Sequence, residues 1–241
     1  MTSQMIVLET QNLTKTYKIR ERQVDVLKDV SLKIQAGEIV AIVGSSGSGK
    51  TTLLSLLSGL DQPSSGRIWV RGQDITDKSE DELAPLRNKT VGFVFQSFHL
   101  VPSLTAIENI MFPAELDKDH QAYIKAERLM KRVGIWDRTD NFPHQLSGGE
   151  KQRVAICRAL INEPEIVFAD EPTGNLDSAN SAEILDLLFE LHREQGTTLV
   201  LVTHDMSVAN LADRVIQLRD GEIVREAAPQ THKEAVSSPS L

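Results

Sequence analysis

Hydrophobic and polar positions give the chain more than one texture. Val30, Leu32 and Ile34 alternate with polar neighbours, and "GRIWV" (66–70) stands among Gly, Pro and Ser residues. Such alternation predicts strands with one wet face, as in a small antiparallel sheet. Four other segments are unbroken apolar runs: "EIVAIVG" (38–44), "TVGFVFQ" (90–96), "EIVFADE" (165–171) and "TTLVLVTH" (197–204). These predict parallel strands covered on both faces. Helical spacing falls between them. It runs from Thr51 to Ser58 before Gly59, through Ala122, Tyr123, Ala126, Leu129, Met130 and Val133 before Gly134, and through Ile184, Leu187, Leu188 and Leu191 before Gly196. Residues 97 to about 157 hold little strand signal and two or three helical stretches, which reads as a helical insertion. "RDGE" (219–222) predicts a closing hairpin turn, and from about Glu226 periodicity is lost, as in a loose tail.

The layout is α/β: a parallel-sheet core, an N-terminal antiparallel β-subdomain and an inserted α-helical subdomain within residues 1–225, then a tail over 226–241. With 241 residues and 40% apolar composition, the chain suits one large domain or one with a subdomain. A net charge of −8, spread along the chain, argues against broad nucleic-acid binding, so no nucleic-acid partner is expected. Cys157 is the only cysteine, which rules out an intrachain disulfide or a cysteine zinc site and fits a reducing compartment. It falls on the apolar side of a helical pattern, as a core residue would. No apolar run reaches the ~18–20 residues of a membrane span, and "MTSQMIVLETQ" lacks the pattern of a signal peptide. A membrane role would therefore need a partner.

Each buried run ends on a residue suited to phosphate or metal chemistry, and in open α/β sheets ligands bind beyond the carboxyl ends of the strands. "GSSGSGKT" (Gly44, Ser45, Ser46, Gly47, Ser48, Gly49, Lys50, Thr51) follows a strand and opens a helix that continues with Thr52. That is the context of a P-loop NTPase, in which backbone N–H groups wrap phosphates at a helix N-terminus. Lys50 would reach the β and γ oxygens, and Thr51 would ligate Mg²⁺. A nucleoside triphosphate is the inferred ligand. Asp170 is the candidate Mg²⁺ partner, and Glu171, pointing differently, could polarise a water attacking the γ-phosphate. His204 ends the adjacent run as a γ-phosphate contact, although alone it also suits a structural histidine. Gln96 suits a metal and water contact, or an amide that ties down a loop.

"LSGGEKQRVAICRAL" (146–160) sets Gly148 and Gly149 at the start of a helix, each costing about 1 kcal/mol relative to alanine. Ser147 and Glu150 have capping-box spacing, as do "SEDE" from Ser79 and "TAIE" from Thr105, but a cap does not explain the glycines. Lacking Cβ atoms, they would let phosphate approach the helix N-terminus. A second anion cradle far downstream of the first implies two chains sharing two ATP molecules across a twofold axis.

Taken together, these motifs resemble the nucleotide-binding subunit of an ABC transporter, over about residues 5 to 225. By that resemblance Gln96 is the Q-loop glutamine, "LSGGE" the signature, "IVFADE" the Walker B segment, "GNLD" the D-loop and His204 the switch histidine. The resemblance also implies that Tyr17 stacks on adenine. Ser147, Gly148 and Gly149 then contact the γ-phosphate of the opposite subunit's ATP, and Asn175 and Asp177 line the dimer seam. "FVFQSFHLVPSLTAIENI" and "FADEPTGNLD" resemble the lipoprotein-release and macrolide-exporter subgroup, with "LFELHREQGTTLVLVTHD" leaning toward its YbbA-like branch. The implied activity is ATP hydrolysis by a homodimer that drives an integral-membrane permease from the cytoplasmic face of the inner membrane. Phe98, Leu100, Val101 and Leu104 lie where the family docks its permease. A subunit that signals across the membrane without moving a solute is the alternative; a soluble clamp on nucleic acid or ribosomes would need inserted coiled coils, zinc modules or a second cassette.

Overall fold

In a computed structural model that describes residues 5–227, the chain opens on two long strands, β1 (Ile6–Ile19) and β2 (Arg22–Gln35). They pair antiparallel, and with β4 (Ser65–Val70) and β5 (Gln73–Asp74) form a four-stranded sheet in the order β2-β1-β4-β5. The predicted stripe Val30, Leu32 and Ile34 is buried, while its neighbours on β2 are exposed.

The second sheet has six strands. The apolar runs become β3 (Ile39–Val43), β6 (Val91–Phe95), β7 (Ile166–Asp170) and β8 (Thr198–Thr203), joined by β9 (Arg214–Arg219) and β10 (Glu222–Ala227) in the order β10-β9-β3-β8-β7-β6. All neighbours are parallel except the final hairpin. Because side chains alternate across a strand, one sheet feeds two cores. Val40, Ile42, Ile166, Phe168, Val200 and Val202 face α1 (Lys50–Leu57) and the antiparallel sheet. Ala41, Val43, Val167, Ala169, Leu199 and Leu201 face the other way, toward a helical layer.

The remaining helices are α2 (Glu80–Thr90), α3 (Ala106–Leu116), α4 (Ala122–Arg132), α5 (Gly148–Leu160), α6 (Ser178–Gln195) and the short α7 (Met206–Ala209). All three capping-box spacings are helix starts: the N–H groups of Ser79, Thr105 and Ser147 donate to Glu82, Glu108 and Glu150 at 2.9, 2.7 and 2.8 Å. α6 ends on Gly196, whose φ of +65° admits the left-handed turn a β-carbon would oppose. The predicted hairpin turn holds Asp220 and Gly221 at φ +51° and +83°, the paired left-handed geometry of a tight hairpin.

Two boundaries differ from the sequence reading. Position 157 lies inside α5, a continuous helix that runs to Leu160 and buries Val154, Ile156 and Cys157 in the core shared with β7 and β8. Helical spacing cannot reveal where one helix passes from one packing partner to the next. Glu226 and Ala227 are not tail: they pair with Ile216 and Val215, and the Glu226 carboxylate binds the Arg214 guanidinium. The rest of the anticipated tail lies outside the described residues.

α5 presses on β6 at Gly92, where a β-carbon would lie 2.3 Å from the Ala159 carbonyl oxygen. Gly92→Ala should therefore force helix and strand apart and cost about 1–3 kcal/mol, the usual penalty of overpacking, as a drop in the urea unfolding midpoint. A midpoint equal to that of the parent chain would show that α5 yields freely there.

Candidate functional site

The phosphate loop leaves β3 at Val43 and returns as α1. Gly49 caps that helix at φ +101°, and no side chain takes up the first N–H groups of α1. These groups and the helix dipole form a positive rim suited to phosphate. The Lys50 ammonium donates to the carbonyls of Gly44 and Ser45 at 2.8 and 3.0 Å. Lys50 is buried, yet it forms no ion pair among the described residues. The Ser48 hydroxyl is buried without a hydrogen-bond partner. A buried cation with no direct ion pair and an orphaned hydroxyl fit an anion in the loop. The β9–β10 turn props the loop from behind, the Gly221 N–H donating to the Ser48 carbonyl at 3.1 Å.

A cavity of about 710 Å³ opens over this rim, lined by Val26, Ser46, Gly47, Gly49, Lys50, Thr51, Thr52, Asp170, Glu171 and His204. Sequence reasoning named all of these but Val26, a half-buried aliphatic on β2 that no motif marks. Gly44, Ser45 and Ser48 belong to the same loop but are not in the lining. Asp170 keeps the alternation of β7 and therefore points to the α1 side, like Phe168, where it lines the cavity together with Thr51. Burial raises its carboxyl above the ordinary aspartate value and neighbouring Glu171 adds to this, while Thr51 and Lys50 oppose it. A hydroxyl and one carboxylate are hard oxygen donors, the set Mg²⁺ accepts when phosphate completes its shell. Consistent with so sparse a set, the described residues hold no cluster of three or more His, Cys, Asp or Glu able to bind a metal alone.

Glu171 breaks the alternation. Its φ of +45° is left-handed, a strained conformation for a side chain of this size, held by hydrogen bonds from its N–H to the Val202 carbonyl at 2.9 Å and from the Gly174 N–H to its own carbonyl at 3.0 Å. The twist places its carboxylate 2.8 Å from His204 Nδ1 at the end of β8.

The other predicted site residues lie elsewhere. Gln96, exposed just after β6, is not in the cavity lining. Its carbonyl accepts a hydrogen bond from Asn175 Nδ2 at 2.8 Å, and a β-carbon at Gly174 would meet its amide at 2.6 Å, so in this structure Gln96 ties two loops together. The Tyr17 hydroxyl donates to Asp61 Oδ2 at 2.7 Å. Asp177 caps α6, accepting from the Asn180 backbone N–H and side chain at 2.9 and 2.7 Å. Ser147, Gly148 and Gly149 are also outside the cavity. Gly149 is buried, and its β-carbon would lie 2.8 Å from Asn180 Oδ1; at Gly148 it would lie 3.1 Å from Leu176. Close packing against the first turn of α6 is thus a reason for the second glycine, one that spacing along the chain cannot reveal.

A sequence profile of ABC transporters matches residues 27–174, more than half of the chain. The chain belongs to the ABC transporter family. Among family members it is 48% identical over 240 residues to the macrolide export ATP-binding/permease protein MacB of Syntrophobacter fumaroxidans, covering 96% of this chain and 34% of that protein. The chain thus spans about a third of the length of such relatives. It is 46% identical over 220 residues to the uncharacterized ABC transporter ATP-binding protein MJ1508 of Methanocaldococcus jannaschii, covering 90% of this chain and 98% of that protein. A solved dimer of the ATP-binding cassette MJ0796 bound to ADP and Pi superposes with a TM-score of 0.85 at 42% identity, over 92% of this chain and 99% of that one. The fold is that of the ABC cassette.

Strain at Glu171 can be measured directly by comparing two variants that both lack the carboxylate. Glu171→Gly should be more stable than Glu171→Ala by about 1 kcal/mol in urea unfolding, because only glycine adopts the left-handed geometry without penalty. Equal stabilities would mean that the loop relaxes and stores no strain.

Proposed function

We propose that the chain binds ATP with Mg²⁺ and hydrolyses it as the motor of a membrane exporter, acting in pairs. The observation that carries the reading is the Glu171–His204 contact of 2.8 Å across the cavity from Lys50 and the α1 N-terminus. Lys50 and the loop N–H groups bind the phosphates; Thr51, Asp170 and Gln96 are the residues that would hold Mg²⁺. Mg²⁺ supplies neutralising charge at the phosphate oxygens. Glu171 accepts a proton from water aimed at the γ-phosphate, and His204 keeps that carboxylate oriented while reaching toward the γ oxygens. Tyr17 serves as the platform for the base.

Pairing is supported by the position of Ser147, Gly148 and Gly149 outside their own chain's cavity, and by the dimeric form of MJ0796. On this reading the edge led by exposed Ser147 completes the partner copy's site, with Asn175 and Asp177 at the seam.

No helix among the described residues is long and apolar enough to cross a membrane. The permease is therefore a separate chain or a separate part of a longer one, as the name of the MacB relatives, ATP-binding/permease protein, implies for them. A peripheral place at the cytoplasmic face of the inner membrane follows. Of the apolar residues after Gln96, Leu100 packs against the helical-layer core, whereas Val101 is exposed; a groove of about 390 Å³ includes Leu60, Phe93, Phe95, Pro113, Leu116 and, two residues before Val101, His99. This groove and Val101 form the docking face.

Glu171→Gln should retain ATP binding, accumulate as an ATP-bound dimer on size-exclusion chromatography and lose about 100-fold or more in turnover. Lys50→Ala should lose tight binding altogether. Undiminished hydrolysis by Glu171→Gln would remove Glu171 from the role of base. Separately, Val101→Glu combined with Leu116→Glu should abolish co-purification with the permease while leaving the affinity for ATP unchanged in calorimetry; loss of ATP binding instead would refute docking at that face.

A further inference from the structure

Lys15 and Lys50 are the two lysines buried among the described residues. Lys50 belongs to the phosphate loop, whereas Lys15 belongs to a cluster of which the mechanism above uses only the Tyr17 ring. The Lys15 ammonium donates to Asp61 Oδ1 at 2.7 Å and to the Gln62 carbonyl at 2.6 Å, and it stands 4.8 Å from the centroid of the Tyr17 ring. The other oxygen of the same carboxylate, Asp61 Oδ2, accepts the Tyr17 hydroxyl at 2.7 Å. One aspartate thus holds the tyrosine by its rim and the cation by its charge.

The cluster is tied to the cavity. Thr52, which lines it, stands close enough to the Tyr17 phenol to influence it. Asp61 sits just beyond α1, its N–H and that of Leu60 both bonded to the Ser55 carbonyl at 3.2 and 2.8 Å. The anchor therefore rides on the helix whose first turn carries the phosphate rim. Burial pushes the Asp61 carboxyl up, but hydrogen bonds from Lys15, Tyr17 and the Gln62 amide outweigh it and hold the group below the ordinary aspartate value. An asparagine could accept from the phenol but could not neutralise Lys15.

We propose that Asp61 and Lys15 are positioning residues that hold the Tyr17 ring as a preorganised platform for the nucleotide base, a proposal that rests on the ATP reading above. The ring is 36% exposed, so a free side chain would lose rotamer freedom when a base stacks on it. Pinning the hydroxyl removes that loss before binding. The ammonium takes one face of the ring by cation–π attraction, which directs the base to the opposite face. Base and phosphates are then recognised by separate parts, both fixed to α1.

That separation supplies the test. Full-length Tyr17→Ala, Tyr17→Phe and Asp61→Asn would be titrated calorimetrically with ATP and with inorganic tripolyphosphate, each with Mg²⁺; the second ligand has phosphates but no base. Tyr17→Ala should weaken ATP about tenfold, the size of one base–aromatic stack. Asp61→Asn and Tyr17→Phe should weaken ATP about fourfold, the size of one freed side chain. None should alter the affinity for tripolyphosphate. If Tyr17→Ala weakens ATP while Asp61→Asn and Tyr17→Phe bind it like the parent, the platform stands and the positioning role falls. If Tyr17→Ala binds ATP like the parent, the platform itself falls. If Asp61→Asn weakens both ligands equally, it supports the phosphate loop instead and the proposal is overturned. Should Asp61→Asn fail to fold, Tyr17→Phe, which removes one oxygen from a half-exposed ring, decides alone.

Discussion

Strands β3, β7 and β8 are buried on both faces, so their side chains cannot meet a solvent-borne ligand until the chain leaves the sheet. Parallel pairing aligns those exits along one edge. The phosphate loop, Asp170, Glu171 and His204 gather there because every earlier position is committed to packing. Alternation then assigns direction: Asp170, in step with Phe168, turns toward α1 and Thr51, while Glu171 leaves the strand period and faces His204.

The electrostatics of the edge are left incomplete within the protein. Lys50 is buried against backbone carbonyls with no ion pair among the described residues, and Asp170 sits where burial disfavours its charge. Each arrangement is costly alone, and under the proposed function a triphosphate with its cation would offset both by supplying negative charge to one and positive charge to the other. Strain at Glu171 belongs to the same pattern, since a left-handed glutamate persists only where its surroundings over-determine it.

The loop from β7 to α6 links the two ends of the proposed composite site. It starts at Glu171, touches Gln96 through Asn175 and Gly174, and ends at Asp177, which pins Asn180 against Gly149. The second signature glycine is thereby explained by contact within the chain. Approach of a partner's phosphate remains the reading for Ser147 and Gly148, which are less buried.

Four of the five parallel strands, the phosphate loop, the helix starts at Ser79, Thr105 and Ser147 and the final hairpin could be read from the chain because each depends on residues close in sequence: a run, a cap, a turn. The same holds for Lys50, Thr51, Asp170, Glu171 and His204, which stand at the ends of legible elements. What sequence could not supply depended on approach between distant segments. Val26 enters the cavity only because β2 crosses above the loop, Gln96 meets Gly174 only through the pairing of β6 with β7, and Lys15 meets Asp61 only because β1 lies beside the end of α1. The passage of α5 from the helical layer onto β6 was likewise hidden, since helical periodicity records which face is buried and not what buries it. Local pattern determined the elements and most of the chemistry; tertiary packing decided which of those residues share a site.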